Sequence, residues 1–259
     1  MSLEVSRWAG QDVQGSTRFV RIDPMRRRLD VKPVIYCHGW PQSSTPSQYL
    51  ADQLTANIDA LLSGGRTVYI PFTGANWGSN STYPSVGGTG LQAITDVVTA
   101  AAADGFDTTT VHLMGASMGA CNVMGWGWRN PTKVAGVYLL LPCLDLLASY
   151  DALAASANPA IIALNADEAM LSCYSAADRA ALVTASASFD PARNTGSVNF
   201  GARVAGHAHS TDEVVPIAAV QAVFAAIGAT QLDVEAGGSH FFESDFDSAD
   251  VAAWFAALS

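Results

Sequence analysis

Two short stretches near the start, Leu3 to Trp8 and Thr17 to Ile22, alternate apolar and polar residues, a period-two pattern that predicts an early hairpin. From residue 33 the pattern changes to short apolar runs separated by longer segments of helical periodicity. Val34 to Cys37, Arg66 to Phe72, Thr109 to Met114 and Val134 to Leu141 read as strands. Ser47 to Leu62, Leu91 to Ala103 and Ser117 to Arg129 read as intervening helices, the first stopping at Gly64-Gly65 and the last at Asn130-Pro131. The stretch TGANWGSNSTYPSVGGTG, 73 to 90, has the Gly, Ser and Asn content of a long surface loop. Residues 142 to 196 break the rhythm: they are Ala-rich and mostly helical, with AIIALN at 160 to 165 as the sole strand candidate. Alternation resumes with a strand at Val198 to Val204, a helix at Val214 to Ile227, a strand at Gln231 to Glu235 and a last helix from Ser248 to Leu258.

Repeated strand and helix units imply an α/β fold, a mostly parallel, doubly wound sheet with helices on both faces. Ligands of such sheets bind at the carboxyl ends of the strands. No internal repeat and no linker interrupts the chain, so one domain over 1–259 is expected, carrying an insertion at about 142–196.

Composition narrows the function classes. A chain of 259 residues with 49% hydrophobic content can bury a sizeable core. No run of 18 or more apolar residues predicts a membrane span, and the start, MSLEVSRWAGQD, lacks the basic and apolar regions of a signal peptide. The expected location is therefore cytoplasmic, or outside the cell by release without a signal peptide. A formal charge of -10 argues against nucleic acid as a partner. Six of the 13 basic residues (Arg18, Arg21, Arg26, Arg27, Arg28 and Lys32) cluster near the start, where a solvated turn between strands accounts for them. The four cysteines, Cys37, Cys121, Cys143 and Cys173, include no C-x-x-C pair and read as reduced, buried thiols. No His or Cys spacing reads as a metal site, and no cofactor is expected.

The chemistry is concentrated in HLMGASMGACN, 112 to 122, where Gly115-Ala116-Ser117-Met118-Gly119 lies between an apolar strand and a helix. A nucleophile on such a turn is held in a strained backbone, and the turn tolerates only small residues two positions to either side. A serine hydroxyl needs a base and an orienting carboxylate. GGSHFFES, 237 to 244, offers His240 in a loop after the last strand. His38, His112, His207 and His209 compete for that role, but His38 and His112 lie at or within strands and read as structural. HSTDEVVP, 209 to 216, places Asp212 past a strand and before a helix, and Asp167 in LNADEAM is the rival.

With these residues in view, the chain resembles the α/β-hydrolase superfamily over roughly residues 30 to 259, and within it the serine esterases and lipases. The order Ser117, Asp212, His240 is the order that family uses, and Asp-x-x-Val-Pro at 212 to 216 is a frequent feature of it. The resemblance implies a helical cap in the insertion and two oxyanion-hole N–H groups, from Trp40 in CHGWPQS and from Met118 after the nucleophile. Pro41 would restrict Trp40 toward an extended backbone while its indole forms a pocket wall, with Trp77, Tyr83 and Phe241 as further candidate wall residues. His-Gly-Trp-Pro is also similar to the oxyanion-side motif of epoxide hydrolases, but those carry an aspartate nucleophile where this chain has Ser117. The expected activity is therefore carboxylic-ester hydrolysis on a small-molecule or lipid-like ester, by a monomer or homo-oligomer. An acyltransferase, thioesterase or perhydrolase would use the same residues, and a non-catalytic binding or structural protein would share only the fold.

Overall fold

The computed structural model describes residues 6–14, 17–39, 58–71, 88–158, 176–194, 199–240 and 248–258. Its strands are β1 (Ser6–Gln14), β2 (Thr17–Pro24), β3 (Val34–Cys37), β4 (Val68–Pro71), β5 (Val111–Ala116), β6 (Val134–Leu140), β7 (Val204–His209) and β8 (Gln231–Glu235). They form one eight-stranded sheet in the order β1-β2-β4-β3-β5-β6-β7-β8. β1 and β2 are the expected hairpin, and β2 pairs antiparallel with β4 through Val20↔Ile70 and its neighbours. From β4 to β8 every pairing is parallel.

Parallel neighbours require crossovers, and the helices supply them. They are α1 (Gly88–Ala103), α2 (Met118–Arg129), α3 (Leu146–Ala155), α4 (Arg179–Ala185), α5 (Pro191–Asn194), α6 (Ile217–Ala226) and α7 (Ser248–Ala257), together with helical residues 58–63. Period-two alternation sends Ile35, Leu113, Val137 and Leu139 into one layer with Val97, Val123 and Val220 of α1, α2 and α6. It sends Val34, Tyr36, Met114 and Leu140 into the other with Ile58, Leu61, Val251 and Phe255. β3 and β5 are buried along their whole length, which is why the central strands read as unbroken apolar runs. Each fully buried side chain of this size contributes about 1.5–3 kcal/mol. Among the described residues no helix is long and apolar enough to cross a membrane.

One strand is displaced from its predicted position. Residues 199–203 of the predicted Val198 to Val204 stretch are not strand, and Val198 lies outside the described residues; β7 begins where that stretch ends and runs through Val204–His209. Gly201 takes φ 55° in a short 3-10 turn, and Phe200 fills the core from outside the sheet. The helix predicted from Val214 begins at Ile217, because the Asp212 carboxylate takes the N–H groups of Val214 and Val215 and Pro216 has none to give.

Four of the basic residues near the start, Arg21, Arg27, Arg28 and Lys32, pair with acids of the chain. Arg21 pairs with Asp23 and Asp104, Arg28 with Asp30, and Lys32 with Asp107. Cys37, Cys121 and Cys143 are buried thiols, not joined in disulfides, and Cys173 lies outside the described residues.

Between β6 and β7, the side chains of Asp145 and Asp178 cap α3 and α4, and Leu144, Leu146 and Leu182 join the layer under α2. Met170 and Leu171 lie outside the described residues. Asp190 is fully buried here, and burial, followed by the charge of Asp145, raises its carboxyl to about 6. A carboxyl with a raised folded-state pKa favours folding below its unfolded value near 3.8, and that contribution is lost as pH rises through about 6. Asp190→Asn, neutral throughout, is therefore expected to raise Tm relative to wild type at pH 8 and to match it at pH 4. The gain at pH 8 should be about 3 kcal/mol, or roughly 8 °C. Thermal unfolding of both proteins at the two pH values measures it, and an equal gain at both would remove titration as the cause.

Candidate active site

The site is assembled at the carboxyl ends of β3, β5, β7 and β8. β5 ends at Ala116 and α2 begins at Met118, so Ser117 occupies the turn between them, with φ 49° and ψ -120°. A non-glycine residue in this region is strained. Among the described residues only Leu141, at φ 42°, shares a positive φ without being glycine, and it stands beside Ser117 at the end of β6. Backbone hydrogen bonds hold this pair: Ser117 N donates to Leu140 O at 2.9 Å, Cys143 N to Ser117 O at 3.0 Å, and Leu141 N to His207 O at 2.9 Å.

The small residues around Ser117 are explained by what a methyl group would meet. A Cβ at Gly115 would lie 2.7 Å from Ala120 Cα, and one at Gly119 would lie 2.0 Å from Cys37 O. A Cβ at Gly39, in the His-Gly step after β3, would lie 2.8 Å from the Cβ of Ser117. The glycine after His38 thus lets the β3 loop pass directly against the serine.

The structure brings together Ser117, His240 and Asp212. Ser117 Oγ lies 2.8 Å from His240 Nε2, and His240 Nδ1 lies 2.8 Å from Asp212 Oδ2. The imidazole and carboxylate side chains are only 6% and 3% exposed. A carboxylate can only accept, so Nδ1 carries the proton and Nε2 is left to accept from the Ser117 hydroxyl. The other Asp212 oxygen accepts from Val214 N at 2.9 Å and Val215 N at 2.7 Å, which holds the carboxylate in place beside His240.

The loop bearing His240 is secured by residues that sequence reasoning missed. Gly237 and Gly238, at φ 89° and 81°, turn the chain back after β8. Glu213 accepts from Ser239 Oγ at 2.7 Å and from His240 N at 3.4 Å, so the residue next to Asp212 anchors the loop of His240. Its sequence signal was the second carboxylate in TDEVVP.

The competing histidines lie elsewhere. His38 is buried, with Nδ1 2.6 Å from Gly39 O, and burial lowers it to about 4. His112 packs against Phe255 at 4.7 Å between ring centroids, and burial lowers it to about 3. His207 and His209 stand beside Glu235 on the β7–β8 side, the one group of three or more metal-capable side chains among the described residues. Met118 opens α2, where the first amide N–H groups have no intrahelical acceptor. Trp40, Trp77, Tyr83, Phe241 and the rival Asp167 lie outside the described residues.

No protein-family model and no curated protein sequence matches the chain. Solved structures match it along nearly its whole length. A hormone-sensitive lipase from a metagenome library superposes with a TM-score of 0.68 at 16% identity, covering 99% of this chain and 87% of that one. An esterase of Pyrococcus furiosus does so with a TM-score of 0.62 at 13% identity, covering 97% and 92%. A prolyl endopeptidase matches with a TM-score of 0.67 at 13% identity, covering 100% of this chain and 39% of that one. With its antiparallel β2, its run of parallel strands and these neighbours, the chain has the α/β-hydrolase fold.

Proposed function

We propose that the protein hydrolyses carboxylic esters through an acyl-enzyme. The observation that carries this reading is the hydrogen-bonded sequence Ser117, His240, Asp212 on a strained strand-to-helix turn. Similarity in fold to proteins described as esterases and lipases supports it. In this reading Ser117 Oγ attacks the ester carbonyl while His240 Nε2 takes its proton, and Asp212 stabilises the imidazolium that results. The oxyanion of the tetrahedral intermediate accepts from the N–H groups of Met118 and Trp40. Collapse releases the alcohol, protonated by His240. A water molecule, deprotonated by the same nitrogen, then attacks the acyl-serine and regenerates Ser117. His38 and His112, held neutral by burial near neutral pH, supply no competing base.

Turnover of a short p-nitrophenyl ester, with labelling of Ser117 by a fluorophosphonate, tests the proposal. Absence of both would overturn it. The acid is tested separately. Asp212→Asn should lower kcat by roughly 10⁴-fold, because an amide no longer enforces the required tautomer of His240. Asp167→Asn should leave kcat near wild type, and the reverse pattern would reassign the acid.

A further inference from the structure

A second polar cluster lies at the far end of the sheet. β7 and β8 pair in parallel with His207 opposite Asp233 and His209 opposite Glu235. Two-residue periodicity places all four side chains on one face. His207 and His209 are 6% and 1% exposed. Their Nε2 atoms lie 3.7 and 3.8 Å from the same oxygen, Glu235 Oε2. The ligand atoms of these three residues all fall within 4.8 Å of one another.

The other ring nitrogens are directed at acceptors. His209 Nδ1 lies 2.9 Å from Ser239 O, and His207 Nδ1 lies 3.4 Å from Asp233 Oδ2. A carbonyl oxygen only accepts, so His209 carries a proton on Nδ1, and in the neutral ring the lone pair of Nε2 faces the Glu235 carboxylate. A lone pair opposed to an anion is unfavourable unless a cation stands between them. Proteins that ligate metal through histidine orient the ring in this way, with the distal nitrogen donating to a carboxylate or a backbone carbonyl.

We infer that His207, His209 and Glu235 bind a divalent transition-metal ion of the Zn²⁺ type. Two imidazoles and one carboxylate match its ligand preference, whereas Ca²⁺ and Mg²⁺ take oxygen ligands. Bonds of about 2.0–2.1 Å in a tetrahedron put ligand atoms roughly 3.4 Å apart. The two histidine–Glu235 spacings, 3.7 and 3.8 Å, need to close by only a few tenths of an ångström, and the spacing between the histidines, within 4.8 Å, is closed by a turn of either ring. Glu235, about one-third exposed, leaves a side from which water can fill the fourth position. The ion would clamp β7 to β8 and, through the bond from His209 to Ser239 O, brace the residue before His240. This site is independent of the ester-hydrolysis proposal, because its ligands do not touch Ser117.

The test uses the full chain without a histidine tag, stripped by chelator and dialysed against ZnCl₂, with metal counted by mass spectrometry. One Zn²⁺ per chain is expected, with Kd in the micromolar range or tighter. At a hundredfold excess over Kd, Tm should rise by roughly 5 °C. Glu235→Gln and His207→Gln should each weaken binding at least roughly tenfold, while His240→Ala should retain it. Co²⁺ in place of Zn²⁺ should give the strong visible absorption of a tetrahedral site in wild type and lose it in Glu235→Gln. Wild type that takes up no Zn²⁺, or ligand variants that bind like wild type, would overturn the inference. So would binding abolished by His240→Ala, which would put the ion on the Ser117 side. A Tm that Zn²⁺ leaves unchanged would also reject the site.

Discussion

Ser117→Ala is expected to lower kcat on p-nitrophenyl acetate by about 10⁶-fold while leaving KM close to wild type, since in the proposed mechanism the lost group acts in the transition state. What remains is the rate supplied by binding and the oxyanion hole alone. Stability separates this from a folding defect. Alanine keeps the Cβ, so the backbone strain at φ 49° remains, and only the 2.8 Å hydrogen bond to His240 is lost, at about 1 kcal/mol. Ser117→Gly removes the same nucleophile but relieves the strain, worth about 1 kcal/mol or more, and should melt above Ser117→Ala by a few degrees. Kinetics and thermal melts on the three proteins decide the matter. Wild-type turnover in Ser117→Ala would place the nucleophile elsewhere.

Gly119→Ala should damage folding and activity together. Its Cβ would stand 2.0 Å from Cys37 O and 2.5 Å from His38 O, atoms of a buried backbone that cannot rotate aside. Overpacking against backbone of this kind costs more than about 3 kcal/mol, or roughly 10 °C in Tm. Any relaxation moves the β3 loop, and with it Gly39 against Ser117, so kcat should fall as well. Gly127→Ala in the same helix is the comparison. Its Cβ meets the Phe200 ring at 3.4 Å and Val134 Cγ2 at 3.6 Å, ordinary van der Waals contacts with side chains, and alanine favours the helix by about 1 kcal/mol. Equal melting temperatures for the two variants would show that the strand–helix contact at Gly119 is not the constraint described.

The order of strands and helices was legible because the central strands are buried on both faces and the helices on one, so periodicity reports them. β7 was not, since VAGHAH has no apolar run. Gly206 is there because a Cβ would lie 2.9 Å from Leu139 O, and His207 and His209 take their partners from the next strand. The turn at Ser117 is local in sequence and could be found from its two glycines. Asp212 and His240 could be found only from their order along the chain. The anchoring of Ser239 by Glu213 and His209 depends on the pairing of β7 with β8, which no spacing in the sequence encodes.

β8 is the last strand in the sheet and, among the described strands, has a neighbour on one side only. Such a strand is an adhesive surface, ready to accept a strand from another molecule and seed aggregation. Here the row Gln231–Glu235 alternates Asp233, 79% exposed, and Glu235 with less polar residues. Two copies meeting through this border would set their carboxylates side by side, and like charges so placed repel. With a formal charge of -10 behind it, Asp233 serves as a gatekeeper that keeps this border of the sheet from being extended.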